Sequence, residues 1–329
     1  MARSEPSRPE SAARLRTRLQ AIHHGCEDIC RYQLVPLDAA AFPAVQAGAH
    51  VDLHLPNGLV RQYSLLPSSG PDGYLIAVKH DPAGRGGSHW LHEEARVGMA
   101  LEISAPRNHF ELREDNGQRA PVLLLAGGIG ITPVYAMMRA LEAQGRPFAL
   151  HYWGRSLEQM LFADELGADA RVQLHLSPAG AGPAAPSAAQ VVAATRPDCD
   201  VYACGPQPML DELAALDAGE RSGKLYMERF AAPLRTAEGK AAGFEVVLAR
   251  TGMRVAVGPN ETILEVLKAR GLDVMYSCEQ GVCGACEVIC LEGEPQHFDT
   301  VRTPQEHARE KTIMICCARS QGERLVLDI

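Results

Sequence analysis

The period of hydrophobic and polar positions changes along the chain, and the changes divide it. From residue 1 to about 118, AHVDLHL (49–55) and YLIAVKH (74–80) partly alternate apolar with polar residues, the period of two expected of half-buried strands. Pro56-Asn57-Gly58 and the run from Ser68 to Gly73 supply turns. Short strands broken by such turns predict an antiparallel barrel or sandwich. One helix, SHWLHEEARVG (88–98), is expected after the glycines at 84–87.

From 119 to about 230 the pattern is different. PVLLLAGG (121–128) is a continuous apolar run, as for a strand buried on both faces. A helix follows over 132–145, with Thr132 placed to cap it, Pro133 in its first turn and Gly145 at its end. Then come FALHYWG, a helix near 157–166, RVQLHLS, a helix near 187–194, VYACG, a helix from about 207, and KLYMERF. This alternation predicts a parallel sheet with helices on its faces. Residues 231–242 carry no periodicity and read as a linker. Residues 243–329 form a third domain: a hairpin turning at Thr251-Gly252, an amphipathic helix ETILEVLKARG with Ile263, Leu264 and Leu267 on one face, and a final strand ERLVLDI.

Composition changes this picture little. The 329 residues are 46% hydrophobic, ample for several cores, and the net charge of −8 argues against a nucleic-acid partner. No run reaches the length of a membrane helix, and the arginine-bearing N-terminus lacks the apolar core of a signal peptide, so a cytoplasmic protein with no membrane contact is expected. In that compartment ten cysteines are not expected to form disulfides. Six of them, Cys278, Cys283, Cys286, Cys290, Cys316 and Cys317, fall in the last 52 residues, which points to a metal site.

The spacing Cys278-x4-Cys283-x2-Cys286 has no second matching pair, as a structural zinc site would want. With a distant fourth cysteine it is the arrangement of a plant-type [2Fe–2S] centre. Cys316 lies 29 intervening residues beyond Cys286 and fits as the fourth ligand, with Cys317 its direct rival. Adjacent strand residues point in opposite directions, so only one of the two should reach iron. Cys290 is expected on the strand leaving the loop, and Cys26 and Cys30 in the barrel. Gly281 and Gly284 permit a tight loop whose backbone N–H groups aim at sulfur, with the Ser277 hydroxyl nearby.

Five motifs occur in order: RQYSL (61–65), GRGGS (84–88), AGGIGITP (126–133), CGP (204–206) and the C-terminal cysteine set. Over residues 12–329 the chain resembles the phthalate dioxygenase reductase family, which includes vanillate demethylase reductases. The resemblance implies an FMN-binding barrel over 1–118, an NAD(P)H-binding α/β domain over 119–230 and an α+β (β-grasp) ferredoxin domain over 243–329. It implies NADH as electron donor and a Rieske-type terminal oxygenase as acceptor. It also implies cluster ligation by Cys278, Cys283, Cys286 and Cys316, and a monomer.

Arg61, Tyr63 and Ser64 resemble the flavin motif. An arginine can fork onto phosphate, a tyrosine ring can lie on the isoalloxazine, and a serine hydroxyl can bond near the N5 atom that takes hydride. Arg85, Gly86, Gly87 and Ser88 offer backbone amides at a helix start for one phosphate, which suits FMN. Ala77, Val78 and Lys79 resemble the strand beside the flavin ring. Gly127, Gly128, Gly130, Thr132 and Pro133 lie between a buried strand and a helix, where a pyrophosphate is held, although they depart from the G-x-G-x-x-G fingerprint. Cys204, Gly205 and Pro206 end a later parallel strand and should face the same crevice. The resemblance places Cys204 near the nicotinamide, without covalent chemistry. Arg155 and Ser156 should lie by the adenosine ribose, where an arginine suits a 2′-phosphate or a pyrophosphate. Phe230 matches an aromatic that closes the NAD domain against the flavin.

The expected activity is electron transfer from NADH through FMN and [2Fe–2S] to an oxygenase. Two other readings remain: a reductase for a diiron or haem oxygenase, and a nucleotide-binding redox sensor with a zinc-bound cysteine cluster. His23, His24, His50, His54, His89 and His109 show no metal-ligand spacing and read as surface or packing residues.

Overall fold

The computed structural model describes residues 14–38, 41–67, 73–114, 121–176, 185–216, 222–230, 243–302 and 304–329. The expected linker at 231–242, and most of the turn at 68–73, lie outside them. Contacts divide the chain into two compact units, Met1–Glu228 and Arg229–Ile329.

In the first unit, β1 (Leu15–Cys26), β2 (Ile29–Pro36), β3 (Ala49–His54), β4 (Val60–Leu66), β5 (Tyr74–Lys79), β6 (Ala100–Ile103) and β7 (Arg107–Asn108) pair antiparallel in the order β4-β5-β2-β1-β6-β3-β7. A further β3–β4 pairing closes the sheet into a barrel, which removes its open edges. Helix α1 (Gly87–Glu93) is shorter than its pattern and stops before Arg96-Val97-Gly98. Cys26 and Cys30 lie on β1 and β2 as expected.

The strands β8 (Val122–Gly127), β9 (Phe148–Gly154), β10 (Val172–Leu176), β11 (Asp200–Cys204) and β12 (Leu225–Glu228) form a parallel sheet in the order β10-β9-β8-β11-β12. Helices α2 (Ile131–Ala143), α3 (Ala163–Gly167), α4 (Ala188–Ala194) and α5 (Gln207–Ala214) connect them. Every residue of β8 is buried. Leu124 joins one core, and Leu123 and Leu125 the core on the other face. The first of these cores also takes in Cys26, Leu66, Ala77 and Phe110 from the barrel side, so barrel and parallel sheet share apolar packing. That sharing explains why β5 is buried more completely than a half-buried strand should be.

The helix expected near 157–166 is broken. A 3-10 turn spans Leu157–Gln159, and α3 begins only at Ala163. Between them Met160 and Leu161 are buried in the shared core, and Phe162 takes φ 66 with its ring stacked on Tyr135 at 4.2 Å. Burial of Met160 and Leu161, with Phe162 packed against the same core, overrides the helical period.

The second unit holds β13 (Phe244–Leu248), β14 (Arg254–Val257), α6 (Ile263–Ala269), β15 (Glu287–Glu292), β16 (Pro295–Gln296), α7 (Pro304–Glu310), β17 (Thr312–Met314), β18 (Arg319–Ser320) and β19 (Arg324–Leu327). Its mixed sheet runs β14-β13-β19-β15-β17, with β13 and β19 parallel, and α6 packs on it. Thr262 and Glu265 form a reciprocal capping box at the start of α6 (3.0 and 2.8 Å). Ile263, Leu264 and Leu267 are buried together. Thr262→Ala is expected to cost about 1 kcal/mol, read as a lower urea midpoint of the full-length protein. Thr262→Ser, which keeps the hydroxyl, should recover most of the loss.

Candidate functional site

Arg61 brings the two barrel motifs together. Its Nη2 donates to the Arg85 carbonyl (2.6 Å) and its Nη1 to the Val60 carbonyl (2.7 Å). Gly86 is left-handed (φ 80), and a Cβ on Gly87 would stand 2.5 Å from Arg61 Cγ. The missing side chains therefore let the arginine lie across a turn whose amides open onto α1. Ser88 Oγ accepts the Asp81 N–H (3.1 Å) and keeps its own proton for a further acceptor. Ala77 and Val78 are buried in different cores and Lys79 pairs with Asp28 (3.2 Å), while the segment's backbone pairs with β2 and the Val78 carbonyl faces His92 Nε2 (3.0 Å).

Tyr63 packs against the barrel core, and burial pushes its phenol above the ordinary value. Ser64 is buried, and directly across from it on β3 stands His50. The sequence gives no reason to separate His50 from a packing histidine. In the structure it is buried with both ring nitrogens enclosed and without a protein partner among the described residues. Burial, then Arg107, pulls it down to about 4, so the ring is neutral at neutral pH. Unsatisfied buried nitrogens beside Ser64 are what the polar edge of a flavin ring would complete.

The second cradle lies at the carboxyl ends of β8 and β11, which are neighbours in register at Ala126 and Cys204. A Cβ at Gly127 would stand 2.4 Å from Pro206 Cδ, and one at Gly130 would stand 2.3 Å from the Cys204 oxygen. Gly205 touches the same place, and Gly128 is left-handed (φ 53). The two turns can meet only because these positions lack side chains. Thr132 does not cap α2 as expected. Gly130 holds that position, Thr132 is buried inside the first turn, and its Oγ1 donates to the Ile129 carbonyl (3.0 Å). Pro133 sits in the first turn and Gly145 (φ 63) follows the helix, both as expected. Arg155 is exposed and Ser156 partly buried, just past β9. Phe230 is 39% exposed and belongs to the second unit.

Glu228 is a site residue that sequence reasoning missed. It stands opposite Cys204 across β11 and β12. Its Oε2 is enclosed and unpartnered among the described residues, and burial raises its carboxyl to about 8. The same burial, with Glu228 next, holds the Cys204 thiol well above its ordinary value, consistent with no nucleophilic role. An acidic residue in a strand of the pattern YMERF carries no local sign of burial; only register places it beside Cys204.

In the second unit the thiols gather as two touching pairs, Cys278 with Cys283 and Cys286 with Cys316, and the Cys317 thiol also contacts Cys316. Cys278, Cys286 and Cys316 are buried, while Cys283 is partly exposed. Backbone N–H groups point at sulfur: Gln280 to Cys278 (3.3 Å), with Val282 to Cys278, Ala285 to Cys283 and Gly281 to Cys316. Gly281 (φ 70) and Gly284 (φ 74) are left-handed as the loop requires. Glu279 (φ 55) shares that conformation, and its carboxylate is held by Lys268 (2.7 Å). Two pairs of thiols under a ring of amides suit two irons with two thiolates each. Cys317 is buried, and its thiol faces the Met314 carbonyl (3.7 Å). Cys290 is buried on β15, as expected.

Residues 246–321 match the family described as a 2Fe-2S iron-sulfur cluster binding domain. The chain is similar to a toluene-4-sulfonate monooxygenase system reductase subunit of Comamonas testosteroni, 41% identical over 314 residues that cover 94% of this chain and 97% of that one. It is 39% identical over 318 residues to a vanillate O-demethylase oxidoreductase of a Pseudomonas species, covering 94% and 98% of the two chains. A solved phthalate dioxygenase reductase, described as a modular structure for electron transfer from pyridine nucleotides to [2Fe-2S], superposes with a TM-score of 0.77 and 36% identity over 98% of this chain and 100% of that one.

Because Glu228 keeps its proton up to about pH 8 when folded and loses it near 4.5 when unfolded, its contribution to stability falls as pH rises between those values. Glu228→Gln is therefore expected to melt a few degrees higher than the parent at pH 8.5, a gain of about 1–3 kcal/mol. The difference should vanish toward pH 4.5. Melting curves across that range check it.

Proposed function

The chain belongs to the phthalate dioxygenase reductase and vanillate demethylase reductase family of iron–sulfur oxidoreductases, and from that premise we propose that it is the reductase component of a two-component oxygenase. In this reading it carries electrons from NADH through FMN and [2Fe–2S] to a Rieske-type terminal oxygenase, as a cytoplasmic monomer. Among the described residues no helix is long and apolar enough to cross a membrane. The single observation that carries the reading is the two pairs of thiols beneath inward-pointing amides.

A bound flavin supplies the conversion between a two-electron hydride donor and one-electron transfers. The chain's own residues bind, orient and shield. Arg61, Arg85, Gly86, Gly87 and Ser88 would hold the FMN phosphate with one guanidinium and a turn of amides. Tyr63 and Ser64 would line the ring, Ser64 by hydrogen bonding, with the neutral His50 beside it. The glycine turn at 127–130, the start of α2 and the turn at Cys204-Gly205-Pro206 would seat the pyrophosphate and nicotinamide of NADH. Cys204 and Glu228 are both uncharged near neutral pH, so they would present hydrogen-bonding groups to the nicotinamide without adding charge. Arg155 and Ser156 would lie at the ribose end. Cys278, Cys283, Cys286 and Cys316 would ligate the cluster, with amide hydrogens offsetting its negative charge.

Cys283→Ser is expected to abolish reduction of a one-electron acceptor protein while NADH still bleaches the flavin absorbance. Loss of flavin bleaching as well would overturn the proposed order of carriers. Cys316→Ser should remove the cluster's visible absorbance and about half or more of the bound iron, whereas Cys317→Ser should keep both. Iron analysis and absorbance of the two purified variants decide between these ligands.

A further inference from the structure

Away from the four thiols, three donor side chains of the second unit converge below its surface. His297, Asp299 and His307 each place one ligating atom within 4.8 Å of the other two. The Asp299 side chain is 0% exposed and that of His307 6%. Asp299 Oδ1 accepts the N–H groups of Val301 (3.1 Å) and Arg302 (3.2 Å) and faces His307 Nε2 at 3.2 Å. Its Oδ2 stands 3.0 Å from the same nitrogen. The two imidazoles stack, with centroids 3.6 Å apart and planes 16° from parallel.

These hydrogen bonds account for Asp299 Oδ1 and for one nitrogen of His307, while Asp299 Oδ2 is enclosed without a hydrogen bond among the described residues. They leave Nδ1 of His297 and Nδ1 of His307 enclosed, with no protein partner among the described residues. Nothing in the cluster chemistry uses these groups, because none of them touches a cluster thiol.

We propose that His297, Asp299 and His307 form a binding site for one divalent transition-metal ion, with zinc the best match to two imidazole nitrogens and a carboxylate oxygen. Three protein ligands leave a tetrahedral ion one position for water. Bonds of about 2.0–2.1 Å require the donor atoms to draw in to roughly 3.3 Å from one another. Rotation of the two imidazoles out of their stack supplies that movement. The site is tied to the cluster loop, since Thr300 N–H donates to the Gly281 carbonyl (2.9 Å) and the Gly281 amide faces Cys316. A bound ion would brace this loop from outside.

The test uses the full-length, iron-loaded protein. After treatment with EDTA it is dialysed to equilibrium against zinc at micromolar free concentration, and zinc and iron are counted in the same sample by mass spectrometry. The expected result is one zinc per chain with iron unchanged. His307→Ala and the milder His297→Asn should each weaken zinc binding roughly tenfold or more, with iron content and circular dichroism showing that the fold persists. His89→Ala, in the exposed group His80, His89 and Glu93, should not alter the count. Absence of bound zinc, zinc retained by both His297→Asn and His307→Ala, or zinc lost in His89→Ala would each overturn the proposal. Zinc taken up at the expense of iron would place it on the cysteines and overturn it equally.

Discussion

Backbone has to reach what it holds, and in both units that need decides where side chains are absent. A Cβ on Gly130 would collide with the Cys204 carbonyl at 2.3 Å, and one on Gly127 with Pro206 at 2.4 Å. With side chains at those positions β8 and β11 could still pair, but their terminal turns could not close into one cradle at the start of α2. The barrel repeats the device at Gly87, which gives way to Arg61. In the thiol loop Gly281 and Gly284 turn amides toward sulfur. In each case the donors are main-chain N–H groups fixed by the fold, and such donors need no reorganisation when negative charge arrives.

Around these fixed amides the first unit places uncharged polar groups. His50 is neutral because it is buried, and Glu228 keeps its proton for the same reason. Two groups that would be ionised or half-ionised in water thus become hydrogen-bonding groups without charge, one beside Ser64 and the other beside Cys204. The second unit manages charge differently, with four thiols gathered under amides and one of them, Cys283, closest to solvent.

Much of this was legible in the sequence because it is local. The apolar run of β8, the glycines that follow it, the capping box of α6 and the Cys278-Cys283-Cys286 spacing each depend on residues a few positions apart. Other features were legible only in part. Thr132 has the chemistry of a cap, but the 3-10 turn at Gly128–Gly130 carries the helix start upstream and turns its hydroxyl inward. The period at 157–166 is helical, yet Met160, Leu161 and Phe162 are drawn into the shared core and break it.

The sequence by itself determined the kind of each domain and many of its strands and helices, the positions where glycine must stand, and the cysteine spacing that names the cluster type. Those properties follow from neighbours along the chain, whose geometry is set by backbone sterics and the two side-chain periods. Tertiary structure alone decided that Cys316 rather than Cys317 meets Cys286, that Glu228 lies across from Cys204, that His50 lies across from Ser64, and that His297, Asp299 and His307 converge. Each of these is a matter of strand register or of burial summed over residues far apart in sequence. No local pattern encodes a register, so a buried glutamate and an exposed one look alike until the strands are paired.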